Sequence, residues 1–231
     1  MGEDVTTTGE HLAEASDMAV VHTMFRREFG LMPGLVRAVA PGDLPRVTLV
    51  GDHIALLSQV LEAHHTGEDK HIWPRLRDRA PGEVAPLIGV MEDQHHAIHS
   101  HLTNVAETLA AWRQVPSAES GRALAQAAEQ QLPAMREHLA LEEERVVPLI
   151  EQYITAAEYG AMVQGSSHAF PQDKLLLAFG MTFYGAPSAI VAAAVADMPD
   201  DVKPVIRDLG DKAYAAYATE LYGTATPRMP D

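Results

Sequence analysis

Apolar residues recur along the first two-thirds of the chain at intervals of three and four, the spacing of one face of a helix. Met18, Phe25, Phe29, Met32, Val36 and Val39 place a first helix over about Asp17 to Val39. Pro41-Gly42-Asp43 ends it and offers Asp43 as an N-cap for a second, whose stripe is Val50, Ile54, Leu57 and Leu61 and whose end falls near Trp73-Pro74. After Arg79-Ala80-Pro81-Gly82, a third helix from about Glu83 to Trp112 turns Ile88, Met91, Ile98, Leu102, Val105 and Leu109 inward. Pro116-Ser117 breaks the chain again, and a fourth carries Leu124, Ala128, Met135 and Val146, with a kink or a late restart expected at Pro133. No stretch alternates as a strand does. Four long amphipathic helices on short loops predict an all-α fold, an antiparallel up-down four-helix bundle, over residues 15–152.

Beyond about Thr155 the pattern changes. Thr155-Ala156-Ala157-Glu158 has the form of a capping box opening a fifth helix. Leu175 to Tyr184, an Ala-rich Pro187 to Met198 and Asp201 to Tyr222 predict further helices. Residues 155–222 thus read as a C-terminal helical extension that packs on the bundle, forms a homodimer interface, or serves as a lid or substrate pocket. Residues 1–14 and 223–231 read as flexible termini.

Composition narrows the function. A net charge of −15 without a basic cluster argues against nucleic acid and anionic membranes as partners. The absence of cysteine removes disulfides and thiolate metal sites and fits a reducing cytoplasm. The opening residues show neither a basic n-region nor an apolar h-region, so a signal peptide is not expected. Histidine is the unusual feature: there are twelve, all but His11 and His168 between His22 and His138.

Two segments share one spacing. His64-His65-Thr66-Gly67-Glu68-Asp69 and His138-Leu139-Ala140-Leu141-Glu142-Glu143 each place a Glu four residues after a His and a Pro ten after it (Pro74 and Pro148). Residues four apart on a helix lie one above the other, so imidazole and carboxylate can address one ion. Extending the apolar stripes leads through His22 on the first helix, His64 and Glu68 on the second, His95 on the third, with His99 one turn on beside Ile98, and His138 and Glu142 on the fourth. Seven polar groups aimed at one bundle axis would each cost free energy to bury unpaired, against a total stability of roughly 5–15 kcal/mol. Metal coordination satisfies them together. Glu143 is the alternative to Glu142, and His96 the alternative to His95. His65, His53 and His71 read as off-axis or supporting, His96 and His101 as solvated, and Asp69, Glu143 and Glu144 as charged surface.

This constellation resembles the hemerythrin-like proteins, the His-His-Glu cation-binding domains, over residues 15–152. Their pattern is one His on helix one, His-x-x-x-Glu on helix two, His-x-x-x-His on helix three, and His with a carboxylate on helix four. Here it falls on His22; His64 and Glu68; His95 and His99; His138 and Glu142. The resemblance implies two iron ions, a non-haem diiron centre with an oxo or hydroxo bridge, in which Glu68 and Glu142 bridge the irons and five His terminate them. The oxygen carriers of the family use His-x-x-x-x-Asp on helix four; Glu142 at the fourth position resembles bacterial and regulatory members instead. A ferritin-like carboxylate site, built on Glu-x-x-His, is the competing assignment. Its pairs Glu62/His65, Glu68/His71 and Glu92/His95 each have a member off the apolar stripe, and helix one offers it only Glu28.

Two function classes follow. One is an oxidoreductase acting on dioxygen, peroxide or another small molecule, as an oxidase or a peroxide-consuming enzyme. The other is a binding module that senses or stores dioxygen, nitric oxide or iron.

Overall fold

Helices account for all the regular structure in the computed structural model, which describes residues 11–167, 169–196 and 198–228. They are α1 (Met18–Arg37), α2 (Leu44–His71), α3 (Trp73–Arg79), α4 (Ala85–Gln114), α5 (Ala118–Gln130), α6 (Leu132–Leu141), a π-helical turn at Glu142–Val146, α7 (Val147–Tyr153), α8 (Ala156–Ser167), α9 (Leu175–Phe183), α10 (Ser188–Ala194) and α11 (Lys203–Tyr222). No strand occurs among the described residues; Leu12 and Thr155 form one isolated antiparallel bridge.

Local chemistry sets the boundaries. The Asp43 side chain accepts from the Arg46 N–H at 3.1 Å and caps α2. Ser117 and Ser120 form a reciprocal box at the start of α5, and Thr155 and Glu158 form the expected one before α8. Prolines restart helices, at Pro133 as the sequence pattern allows. Pro133 opens α6, Pro74 opens α3 and Pro148 opens α7, each in the first turn, where a missing N–H costs nothing. The fourth helix of the sequence reading is therefore three segments and a π turn.

α1 packs on α2 and α5, and α4 packs on the same two, so the long segments close a ring. Its interior is layered. One apolar cluster holds Phe25, Phe29, Ile54, Leu57, Leu61, Ile98, Leu102, Met135 and Leu139. A second holds Met18, Ile72, Trp73, Ile88, Met91, Val146 and Ile150. Between them α1, α2, α4, α6 and the π turn contribute polar residues, which form the candidate site.

Each terminal segment is described in part. Residues 1–10 lie outside the described residues, but 11–14 are held: Ala13 N–H donates to the Ile154 carbonyl at 2.9 Å and Ala156 N–H to the His11 carbonyl at 2.8 Å. At the other end Gly223, at φ 74°, closes α11 with its N–H on the Thr219 carbonyl. The chain is described to Arg228; residues 229–231, and His168, lie outside the described residues.

The extension packs on the bundle: α8 lies on α2, α9 on α1, and α11 on α9. The α9–α11 crossing depends on two glycines. A Cβ at Gly180 would sit 2.0 Å from the Gly210 carbonyl oxygen, a backbone atom that cannot swing aside. Gly180→Ala is expected to destabilise by about 1–3 kcal/mol, the usual cost of overpacking. Urea unfolding with limited proteolysis checks this: cleavage within α9–α11 should precede cleavage of the bundle. Wild-type-like proteolysis would contradict it.

A buried polar knot ties the extension to α1 and α2. Glu28 is fully buried and accepts from Arg27 Nε at 2.7 Å, Tyr214 at 2.6 Å and Tyr222 at 2.5 Å. His53 Nδ1 pairs with the Tyr217 hydroxyl at 3.0 Å, and its Nε2 lies 3.5 Å from Glu28. Burial, only partly offset by Glu28, pushes the His53 imidazole down to about 4. In the unfolded chain it titrates near 6.5. Between those values the unfolded chain binds a proton that the folded chain refuses, so stability falls as pH falls through that window. The loss is roughly 3 kcal/mol. Urea midpoints of wild type and His53→Gln at pH 7 and 4.5 should converge at the lower pH; parallel profiles would contradict this.

Candidate metal centre

Within the polar layer, buried donors converge as two groups. His65, Glu68, His95 and His138 each offer an atom within 4.8 Å of the others, and so do His22, His64 and Glu142. The two carboxylates touch both groups. Glu68 lies 3.0 Å from His64 Nε2 through one oxygen and 3.4 Å from His95 Nε2 through the other. Glu142 Oε2 lies 3.3 Å from His22 Nε2 and 3.6 Å from His138 Nε2.

These contacts are close, but few are hydrogen bonds. Both oxygens of Glu68 and of Glu142, and Nε2 of His65, His95 and His138, are buried without a hydrogen-bond partner. The 3.0–3.6 Å separations from these carboxylates to the imidazoles are ion-pair distances, and none of the contacts is a hydrogen bond. Orphaned buried acceptors are rare in folded proteins, and a concentration of them points to an ion.

The outer nitrogens explain how the inner ones are aimed. His22 Nδ1 lies 3.0 Å from Glu143, which also accepts from Arg26 at 2.8 Å. His95 Nδ1 lies 2.8 Å from Asp69, which accepts in turn from Trp73 Nε1 at 2.9 Å. His138 Nδ1 faces Gln94 Oε1 at 3.3 Å. With Nδ1–H donated outward in all three, each ring presents its Nε2 lone pair to the centre, the usual support of a metal-bound imidazole. The His22 and His64 Nε2 atoms face each other at 3.3 Å.

Electrostatics favours a cation. Burial works against an ionised Glu68, yet His64 and His95 outweigh it and hold the carboxyl well below the usual range. Burial, then the charge of Glu68, raises Glu142. Burial opposes charge on His22, but Glu142 and Glu143 push it up to about 9. His95, likewise opposed by burial, is pushed up to about 10 by Asp69 and Glu68. Each added proton sits on a lone pair that a metal would take. Burial, reinforced by the charge on His95, lowers His65 and His138.

Six of the seven sequence-expected ligands meet here: His22, His64, Glu68, His95, His138 and Glu142. His99 does not. Its side chain is 62% exposed and pairs with Glu62 on the surface at 3.0 Å. The buried face of α4 runs 88-91-95-98-102-105-109-112, and His99 lies one residue off it. His65 stands in the layer instead, its ring stacked on His95 with centroids 4.1 Å apart. Asp69 and Glu143, read from sequence as plain surface charge, orient two of the rings. Glu142 points inward and Glu143 outward, and a π turn runs from Glu142 to Val146, a deviation often found at functional sites. The carboxylate pattern of a ferritin-like site is not assembled, since Glu28 belongs to the tyrosine knot and Glu62 to the surface.

The family model described as the hemerythrin HHE cation binding domain matches residues 15–150, more than half of the chain. No curated protein and no solved structure matches.

Proposed function

The chain belongs to the hemerythrin HHE cation-binding family, and on that premise we propose that it is a non-haem diiron protein that reacts with dioxygen or peroxide as an oxidoreductase. The observation that carries this reading is the pair of donor groups sharing two carboxylates. His22, His64 and Glu142 would hold one ion and His65, His95 and His138 the other, with Glu68 and Glu142 each close to histidines of both groups. Imidazole with carboxylate and no thiolate suits iron. When bound, two ferrous ions supply the electrons for reduction of dioxygen or peroxide.

The protein's own residues do the rest. Asp69, Glu143 and Gln94 fix the tautomers of three imidazoles. The two apolar clusters exclude water above and below the donors. A cleft of about 350 Å³ lined by Glu62, Asp69, Glu92 and His96 reaches His65 and His95 and gives protons a route from solvent to one side of the layer. That route favours turnover over a stable adduct.

The apolar enclosure favours a second reading, reversible binding or storage of dioxygen, nitric oxide or iron, because slow proton delivery preserves an adduct. One experiment separates the two. Anaerobic, iron-loaded, reduced protein is mixed with oxygen or peroxide, its charge-transfer bands are followed, and the sample is purged with argon. Oxidoreductase chemistry predicts conversion within minutes to a diferric state that purging does not reverse. Full recovery of the reduced spectrum would assign the chain to reversible binding.

A further inference from the structure

Where the extension meets α1 and α2, a second cavity of about 430 Å³ lies against the metal centre. Phe25 and Val60 of the bundle form one side, Met162, Ala178 and Phe179 of the extension the other, and His64 closes the inner end. Its volume falls within the range of small-molecule sites. The walls are almost wholly apolar. Among the described residues no Lys or Arg lines it, so an anionic head group finds no partner there. The one carboxylate, Asp17, already accepts from the Tyr159 hydroxyl at 2.6 Å, and the Thr182 hydroxyl is turned to Met24 Sδ at 3.4 Å. Four methionines (Met18, Met24, Met162 and Met198) stand among the lining residues; thioethers adapt to a ligand's shape and favour aromatic rings.

We propose that this cavity binds an uncharged aromatic molecule with one edge against His64. Residues 155–222 are then part of the binding site and not only a covering for the bundle, since α8 and α9 supply one wall. The inference deepens the diiron reading and rests on it for what the molecule meets at its inner end; binding itself is a property of the walls. His64 belongs to the donor group with three protein residues, the other group having four. The cavity therefore approaches the more open of the two.

Titration of the full chain with 1-fluoronaphthalene, followed by fluorine NMR with and without ferrous iron, tests the proposal. Saturable binding at one site per chain is expected in both samples. The bound resonance should be broadened further in the iron-loaded sample, where the cavity wall includes a ligand of a paramagnetic ion. Ala178→Trp and Thr182→Trp, one turn apart on α9, fill the cavity from the same face, and each should weaken binding at least tenfold with iron content unchanged. Two variants guard against one failing to fold. Absence of saturable binding, or binding that both folded variants leave intact, overturns the proposal. Binding without extra broadening in a chain that holds iron overturns the placement against His64. A chain that takes up no iron overturns the diiron reading, and the metal-free titration then decides the cavity alone.

Discussion

His65→Ala is expected to lower iron affinity more than a hundredfold, and His99→Ala to leave it unchanged. The two residues exchange the places that the sequence pattern assigns them. His65 is buried with an unpartnered Nε2 inside the donor group, whereas His99 is largely exposed and bonded to Glu62. Losing a donor atom should cost more than losing a residue that only orients one, which typically weakens metal binding 10–100-fold. Asp69→Asn and Glu143→Gln should fall in that lower range, since each still offers an oxygen to an Nδ1–H. Competition against a chelator of known affinity measures all four. If His99→Ala strips iron while His65→Ala spares it, α4 supplies both His95 and His99 and His65 is not a ligand.

Glu28→Ala should be the most damaging substitution for stability, at about 3–5 kcal/mol, the range for breaking a buried ion pair from one side. It leaves the buried Arg27 guanidinium without a carboxylate and removes the acceptor of two tyrosines. Arg27 keeps its bond to the Met181 carbonyl at 2.7 Å, so part of its charge remains solvated. Glu28→Gln should cost less, because an amide oxygen still accepts. Iron content should not change in either variant, since Glu28 belongs to neither donor group. Urea unfolding with metal analysis checks both halves. Loss of iron from a folded Glu28→Gln protein would couple Glu28 to the metal centre and contradict its separation from the donor groups.

The helical architecture was legible because apolar spacing reports buried faces, and proline and serine mark the ends. His22, His64, His95 and His138 could be placed because each continues an apolar row. His65 could not, and α2 shows why. A single stripe through Val50, Ile54, Leu57 and Leu61 treats this helix as buried on one side. In the structure α8 packs on α2 and Leu56, Val60 and Gly67 are buried, whereas His65 lies on the opposite flank of the stripe, against His95 of α4 and His138. His64 follows Leu61 by three residues and His65 follows it by four, and nothing local said that both would be buried. His99 shows the opposite error: a spacing of four from His95 fits a helix in general, whereas this helix keeps the alternating three-and-four spacing of a narrow seam. Asp69 and Glu143 were unreadable for a third reason. A carboxylate that holds an imidazole from outside has the exposure of surface charge, 50% and 30% here, and only distance reveals its role. The tyrosine knot joins residues more than 150 positions apart, beyond the reach of any periodic argument.

Metal stoichiometry decides whether the two donor groups hold two ions. Metal-free protein is titrated anaerobically with ferrous iron, freed of excess by gel filtration, and analysed for metal per chain before and after exposure to air. Two donor groups sharing Glu68 and Glu142 predict saturation at two irons per chain and, on oxidation, a near-ultraviolet charge-transfer band. Saturation at one ion, or tight retention of a single zinc with no such band, would contradict the diiron assignment.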